Sequence, residues 1–126
     1  MHDVQFADEI LDRLKGGNVR FHANAYLFTL SALHSVMERL EAPRHISGSE
    51  LAEGVRLLAL DRFGPMARTV LEHWGVHRTE DLGDIVFTLV ECGVLTKQDE
   101  DSRDDFRDVY DFEEEFDRNY PWEARV

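Results

Sequence analysis

Two histidines have a spacing that metal sites on helices use. His73 and His77 are four residues apart, which places both imidazoles on one face of an unbroken helix. Gly75 lies between them and is expected to end the helix, and Glu72 precedes the pair instead of lying inside it as in the H-E-x-x-H zinc motif. A metal site needs three or four converging ligands. We therefore interpret His73 as a cap on the last helical turn. The alternative is that His73 and His77 bind a metal ion and that the chain is a small metal-binding protein or enzyme.

The other reactive residue types form no catalytic pattern. The sequence has no nucleophile elbow, no phosphate-binding loop and no dinucleotide fingerprint. The single cysteine, Cys92, has no cation next to it in sequence that would stabilise a thiolate, which favours a buried structural thiol. His34 and Glu38 are also four residues apart and are interpreted as a surface pair. We therefore predict that the chain is not an enzyme and expect no cofactor.

Acidic residues dominate the charge of this chain. The formal net charge is −12, and residues 99–117 contain 11 acids against Arg103 and Arg107. This balance disfavours binding to the phosphate backbone of nucleic acids. The acids between 99 and 105 lack the D-x-[DN]-x-[DN]-G pattern of a calcium loop and are interpreted as a solvated loop. Arginine far outnumbers lysine, which fits either a high-salt cytoplasm or a GC-rich genome.

Composition predicts a globular protein of one domain over residues 1–126. A chain of 126 residues with 43% hydrophobic content can bury a core. One cysteine suits a reducing compartment. Neither a signal-peptide pattern nor an apolar run of about 20 residues is present. We therefore expect a cytoplasmic protein without membrane contact.

Helical spacing of apolar residues predicts an N-terminal helical hairpin over residues 1–43. Its two helices are expected over 3–15 and 22–41, and Pro43 stops the second. The predicted buried stripe of that second helix is Tyr26, Leu27, Leu30, Leu33, Met37 and Leu40. Apolar faces of this width need a partner, so the two helices are expected to pack together.

Residues 44–126 are predicted to form a winged-helix-like core. Three helices are expected, over 48–63, 66–74 and 80–92. Ser47 and Glu50 have the spacing of a capping box that starts the first of them. Thr79 is placed as the N-cap of the third.

A small β-hairpin is predicted to follow the last of these helices. Residues 94–96 and 106–112 have the composition of strands, separated by a polar loop. Phe112, Phe116 and Tyr120 are four apart, a spacing that favours a final helical turn docked on the core. The alternative is an acidic and aromatic tail that binds a basic partner. The predicted fold class is therefore mainly α with a small β-hairpin, in which an N-terminal helical hairpin precedes a winged-helix-like core.

Three segments resemble a known family. The segments FGPMARTVLEHWGV, RTEDLGDIVFTLVECGVLTKQ and VYDFEEEF resemble a family of short bacterial hypothetical proteins of unknown function, and the likeness covers nearly the whole chain. The resemblance implies a stand-alone, single-domain bacterial protein. It implies no activity, ligand or catalytic residue.

The exposed face of the helix at 80–92 distinguishes two functions that this fold supports. A winged-helix DNA-binding regulator would present this face to base edges, but the face contains Glu80, Asp84 and Glu91 and no Arg or Lys. Phosphate contacts need cations, so we favour a non-enzymatic protein-interaction or adaptor module and keep the DNA-binding regulator as the alternative. The predicted contact residues are Phe87, Asp84, Glu91, Asp101, Asp104 and Asp105. The expected partner is a protein with a basic surface or a second copy of this chain.

Overall fold

Helices make up most of the described chain. A computed structural model describes Asp12, residues 20–98 and residues 101–118. Its α-helices are α1 (Ala23–Glu38), α2 (Gly48–Phe63), α3 (Ala67–His73) and α4 (Thr79–Glu91). Shorter helical turns cover Gly64–Met66, Arg103–Phe106 and Glu113–Arg118. The mainly α prediction is confirmed, whereas the helix predicted over 3–15 lies, except for Asp12, outside the described residues.

The start of α2 is determined by local sequence. The Ser47 hydroxyl accepts a hydrogen bond from the Glu50 N–H at 3.2 Å, and a Glu50 carboxylate oxygen accepts one from the Ser47 N–H at 3.1 Å. These two bonds satisfy backbone donors that a helix start otherwise leaves unpaired. The helix ends at Gly64, whose φ is 54°. The capping box and the bounds predicted for this helix are confirmed.

The buried face of α1 differs from the predicted stripe. Its buried residues are Ala25, Tyr26, Phe28, Thr29 and Ala32. The predicted Leu27, Leu30 and Leu33 are only half-buried, and Met37 is 49% exposed. The prediction counted only large apolar residues, so it left out Ala25, Thr29 and Ala32, and it also missed Phe28. α1 lies close to α2 at Gly54, where an added Cβ would overlap Cγ2 of Val36.

The turn between α3 and α4 is fixed by an acid in the first turn of α4. The buried Asp81 carboxylate accepts hydrogen bonds from the N–H of His77 at 2.8 Å and of Arg78 at 3.3 Å. Arg20 donates to the same carboxylate at 2.7 Å. Thr79 is therefore the first residue of α4 and not its N-cap: Arg78 occupies that position, and its carbonyl accepts a hydrogen bond from the Asp81 N–H at 3.1 Å.

The predicted β-hairpin is wrong, since neither 94–96 nor 106–112 forms a strand in the described chain. The N–H groups of Val94 and Leu95 both donate to the carbonyl of Leu89, at 2.9 and 3.2 Å, so this segment folds back onto the end of α4. Without this hairpin, the winged-helix-like core that we predicted lacks its wing in the described residues.

The acidic 106–118 segment is held against the core by its aromatic residues. Phe106, Phe112 and Phe116 are buried, and the Tyr110 hydroxyl donates to the Ala52 carbonyl at 2.7 Å. Burial raises the pKa of Tyr110 far above its ordinary value. The docked arrangement is thus confirmed for Phe112 and Phe116, and Tyr120 lies outside the described residues.

Candidate functional site

A groove lies between α1 and α4 and is completed by the connection before α2 and by residues 95–97 and 101–106. It encloses about 240 Å³. Its apolar wall includes Leu33 and Met37 from α1, Val86, Phe87 and Val90 from α4, and Leu95. Polar residues at its edge include Arg44, His45, Lys97, Asp101 and Asp105. Apolar walls with a few polar groups at the edge are typical of sites that bind other molecules.

A second apolar side on α4 forms one wall of this groove. Leu82, Ile85 and Leu89 are buried in the core. Phe87 and Val90 lie beside that stripe and are half-buried. The Phe87 ring also has the Arg103 guanidinium 5.3 Å from its centroid, within the range of a cation–π contact.

One end of the groove is formed by the Arg103–Phe106 helical turn, which packs against two glycines. Ser102 and Asp105 cap this turn, with Ser102 N–H donating to the Asp105 carboxylate at 3.0 Å. A Cβ at Gly83 would lie 3.1 Å from Cδ2 of Phe106, and one at Gly48 would lie 2.7 Å from Cβ of Asp105. Because glycine has no side chain at either position, the turn approaches α2 and α4 closely enough to form this end of the groove.

Two side-chain pairs that the sequence analysis missed bind the edge of the groove together. His45 Nε2 lies 2.7 Å from an Asp101 carboxylate oxygen and so connects the segment before α2 to the residues just before the Arg103–Phe106 turn. Arg44 donates two hydrogen bonds to Glu50, at 3.0 and 2.7 Å. Together with the Ser47 N–H, the Arg44 guanidinium lowers the pKa of Glu50 to about 2. Local spacing contained no signal for the first pair, because its members are 56 residues apart.

The structure brings together half of the predicted contact residues. Phe87, Asp101 and Asp105 line the groove. Glu91 and Asp104 are exposed but do not line it. The apolar and acidic residues that the sequence indicated separately therefore meet at one place, although they come from α4 and from the segment after it.

Asp84, the sixth predicted contact, belongs to an ion-pair network. One of its carboxylate oxygens accepts a hydrogen bond from Arg20 and the other from Arg103, both at 2.6 Å. Arg20 also binds Asp81, so the network joins the segment before α1 to α4 and to the turn after it. These contacts give Asp84 a structural role at the position where a partner contact was predicted.

The two histidines with metal-site spacing lie on different structural elements. His73 is the last residue of α3, and Gly75 has a φ of 95° before the exposed His77. The His73 ring lies 6.5 Å from that of His22, which accepts the N–H of Asn24. Nowhere in residues 20–98 and 101–118 are three or more His, Cys, Asp or Glu side chains arranged to hold a metal ion.

Comparisons of the chain with protein-family models, with curated proteins and with solved structures each gave no match. The resemblance to short bacterial proteins therefore stays a prediction, and the function is inferred from the groove. None of the described helices is long and apolar enough to cross a membrane.

Proposed function

We propose that this protein is a non-enzymatic interaction module, or adaptor, that docks part of another protein in the groove between α1 and α4. The observation that carries the proposal is a concave apolar wall supplied by separate elements, with Phe87 half-buried and Met37 49% exposed. Apolar surface in water is unfavourable by about 25 cal/mol per Å². A concave apolar surface with a polar edge is a common feature of interaction sites.

The size of the groove favours an anchoring side chain over a whole small molecule. Sites that enclose a drug-sized ligand have volumes of roughly 300–1,000 Å³, and this groove has about 240 Å³. Protein interfaces often depend on one or two large side chains that fill a pocket of this kind while neighbouring contacts exclude water.

The charge of the molecule favours a protein partner over a nucleic acid. The net charge is −12, and two arginines beside α4, Arg20 and Arg103, donate to Asp84. Binding to DNA or RNA would require cations available for phosphate contacts. These observations support the adaptor function and count against the DNA-binding regulator.

Site-specific photo-crosslinking tests the proposal. A benzophenone amino acid at Met37, in the groove, is compared with the same amino acid at Met66, which is 55% exposed and lies outside it. We expect a protein adduct at position 37, lost on competition with excess wild-type protein but retained with excess Met37→Glu protein. The absence of an adduct, an equal adduct at position 66, or equal competition by both proteins would overturn the proposal.

A further inference from the structure

The cations at the edge of the groove are mostly engaged by acids of the same chain. Both terminal nitrogens of Arg44 donate to Glu50. Arg103 donates to Asp84 at 2.6 Å. Lys97 donates to a backbone carbonyl, that of Gln98, at 3.1 Å. Lys97 therefore keeps its positive charge at this edge, whereas the charges of Arg44 and Arg103 are paired with carboxylates of the same chain.

The acids at the same edge differ in how much of their binding capacity is used. Asp101 binds His45 with one carboxylate oxygen and the N–H of Gln98 with the other. Asp105 uses one oxygen for the N–H of Ser102, and within the described chain its other oxygen accepts no hydrogen bond. The neighbouring Asp104 is exposed and its carboxylate has no partner among the described residues.

Asp105 thus places one available carboxylate oxygen at the edge of the apolar groove, and Asp104, next to it in sequence but outside the groove, adds a second carboxylate. A carboxylate binds the guanidinium of arginine or the ammonium of lysine by charge-assisted hydrogen bonds. The net charge of −12 also attracts basic partners at long range and accelerates their association. The apolar wall and the acidic edge together specify a partner that combines an apolar group with positive charge.

We propose, building on the docking function above, that the occupant of the groove is a protein segment with one large apolar side chain flanked by arginine or lysine. The apolar side chain enters between Met37 and Phe87, on opposite walls. The flanking cations bind the carboxylates of Asp104 and Asp105, at the end of the groove formed by the 103–106 turn. This is a groove-docking mode of recognition in which the apolar anchor gives most of the affinity and the charges give orientation.

Selection from a phage-displayed library of short random peptides tests this inference. Wild-type protein serves as bait, with counter-selection against Met37→Glu, or against Met37→Gln if the glutamate variant does not fold. Met66→Glu is the matched control, since both methionines are about half exposed. We expect selected peptides to bind the control as they bind wild type, and to be enriched in a large apolar residue next to Arg or Lys.

The best peptide is then measured by fluorescence anisotropy against Asp104→Asn/Asp105→Asn, in which the amide oxygen introduced at position 105 can still cap the turn. We expect the dissociation constant to rise about fivefold or more at low salt, the size of an exposed ion pair or two. This difference should shrink at high salt because added ions screen exposed charges.

The outcomes separate this inference from the proposed function. Peptides that require Met37 but lack basic residues, or that bind the double variant as tightly as wild type, would overturn the basic partner and leave the docking groove intact. If the selection yields no peptide that distinguishes wild type from the Met37 variants, the docking function itself is overturned.

Discussion

Replacing Gly54 with alanine tests the close approach of α1 to α2, which positions the α1 wall of the groove. In most helices this substitution stabilises, because glycine is about 1 kcal/mol less favourable than alanine in a helix interior. Here the added Cβ would overlap Cγ2 of Val36. Valine in a helix has essentially one rotamer and cannot turn away. Overpacking of this kind costs about 1–3 kcal/mol, so we expect Gly54→Ala to lower the free energy of unfolding by about 1 kcal/mol.

A double-mutant cycle isolates the contact. Val36→Ala removes the opposing methyl groups and should by itself cost about 1 kcal/mol, since Val36 is only half-buried. In that background Gly54→Ala should become neutral or stabilise by up to about 1 kcal/mol, which gives a coupling free energy of about 1–2 kcal/mol between the two positions. Urea unfolding followed by circular dichroism measures all four proteins, and an unchanged slope with urea confirms that the unfolding transition is comparable.

The predicted overlap is refuted if Gly54→Ala is at least as stable as wild type. It is also refuted if Gly54→Ala lowers the free energy of unfolding equally in the wild-type and Val36→Ala backgrounds. Either result would mean that α1 does not contact α2 at these residues. The placement of Leu33 and Met37 beside α4 would then lose its support.

Substitutions at three further positions test other parts of the fold by the same unfolding assay. Tyr110→Phe removes the donor to the Ala52 carbonyl and should cost about 1–2 kcal/mol; an unchanged stability would exclude this hydrogen bond. The pKa of Glu50 falls from 4.5 to about 2 on folding, mainly through Arg44. The Glu50–Arg44 pair therefore stabilises the folded protein above pH 4.5, and this stabilisation is lost as the pH falls towards 2. Wild type should accordingly have a slightly higher free energy of unfolding than Glu50→Gln above pH 4.5, and the difference should disappear towards pH 2. A difference that persists at pH 2 would contradict the pairing. Gly93 has a φ of 77° and open space around it, so Gly93→Ala should cost about 1 kcal/mol from the backbone alone, and Gly93→Asn should cost less; equal costs would point to steric overlap instead.

The elements that the sequence predicted correctly are those determined by neighbours in the chain. The bounds of α2 follow from Ser47, Glu50 and Gly64, all of which act within one helical turn. Residues 94–96 were predicted as a strand because their composition is β-like. Their N–H groups instead bind the end of α4, and composition alone does not distinguish a strand from a segment that folds back on a helix.

The groove was only partly predictable for the same reason. Phe87 was identified as part of the exposed side predicted for its helix, and Asp101 and Asp105 because their segment is acidic. That these residues meet depends on the fold. Phe106 packs against Gly48 and Gly83, which are far apart in sequence, and no local pattern indicates that contact.

The most direct test of the docking groove is the affinity of one selected peptide for two variants of the protein. Met37→Glu places a charge within the groove, whereas Met66→Glu places the same charge on a comparably exposed methionine outside it. Docking in this groove predicts that the dissociation constant of the peptide for Met37→Glu exceeds that for Met66→Glu at least about tenfold, which corresponds to about 1.4 kcal/mol. Equal dissociation constants for the two variants would contradict it.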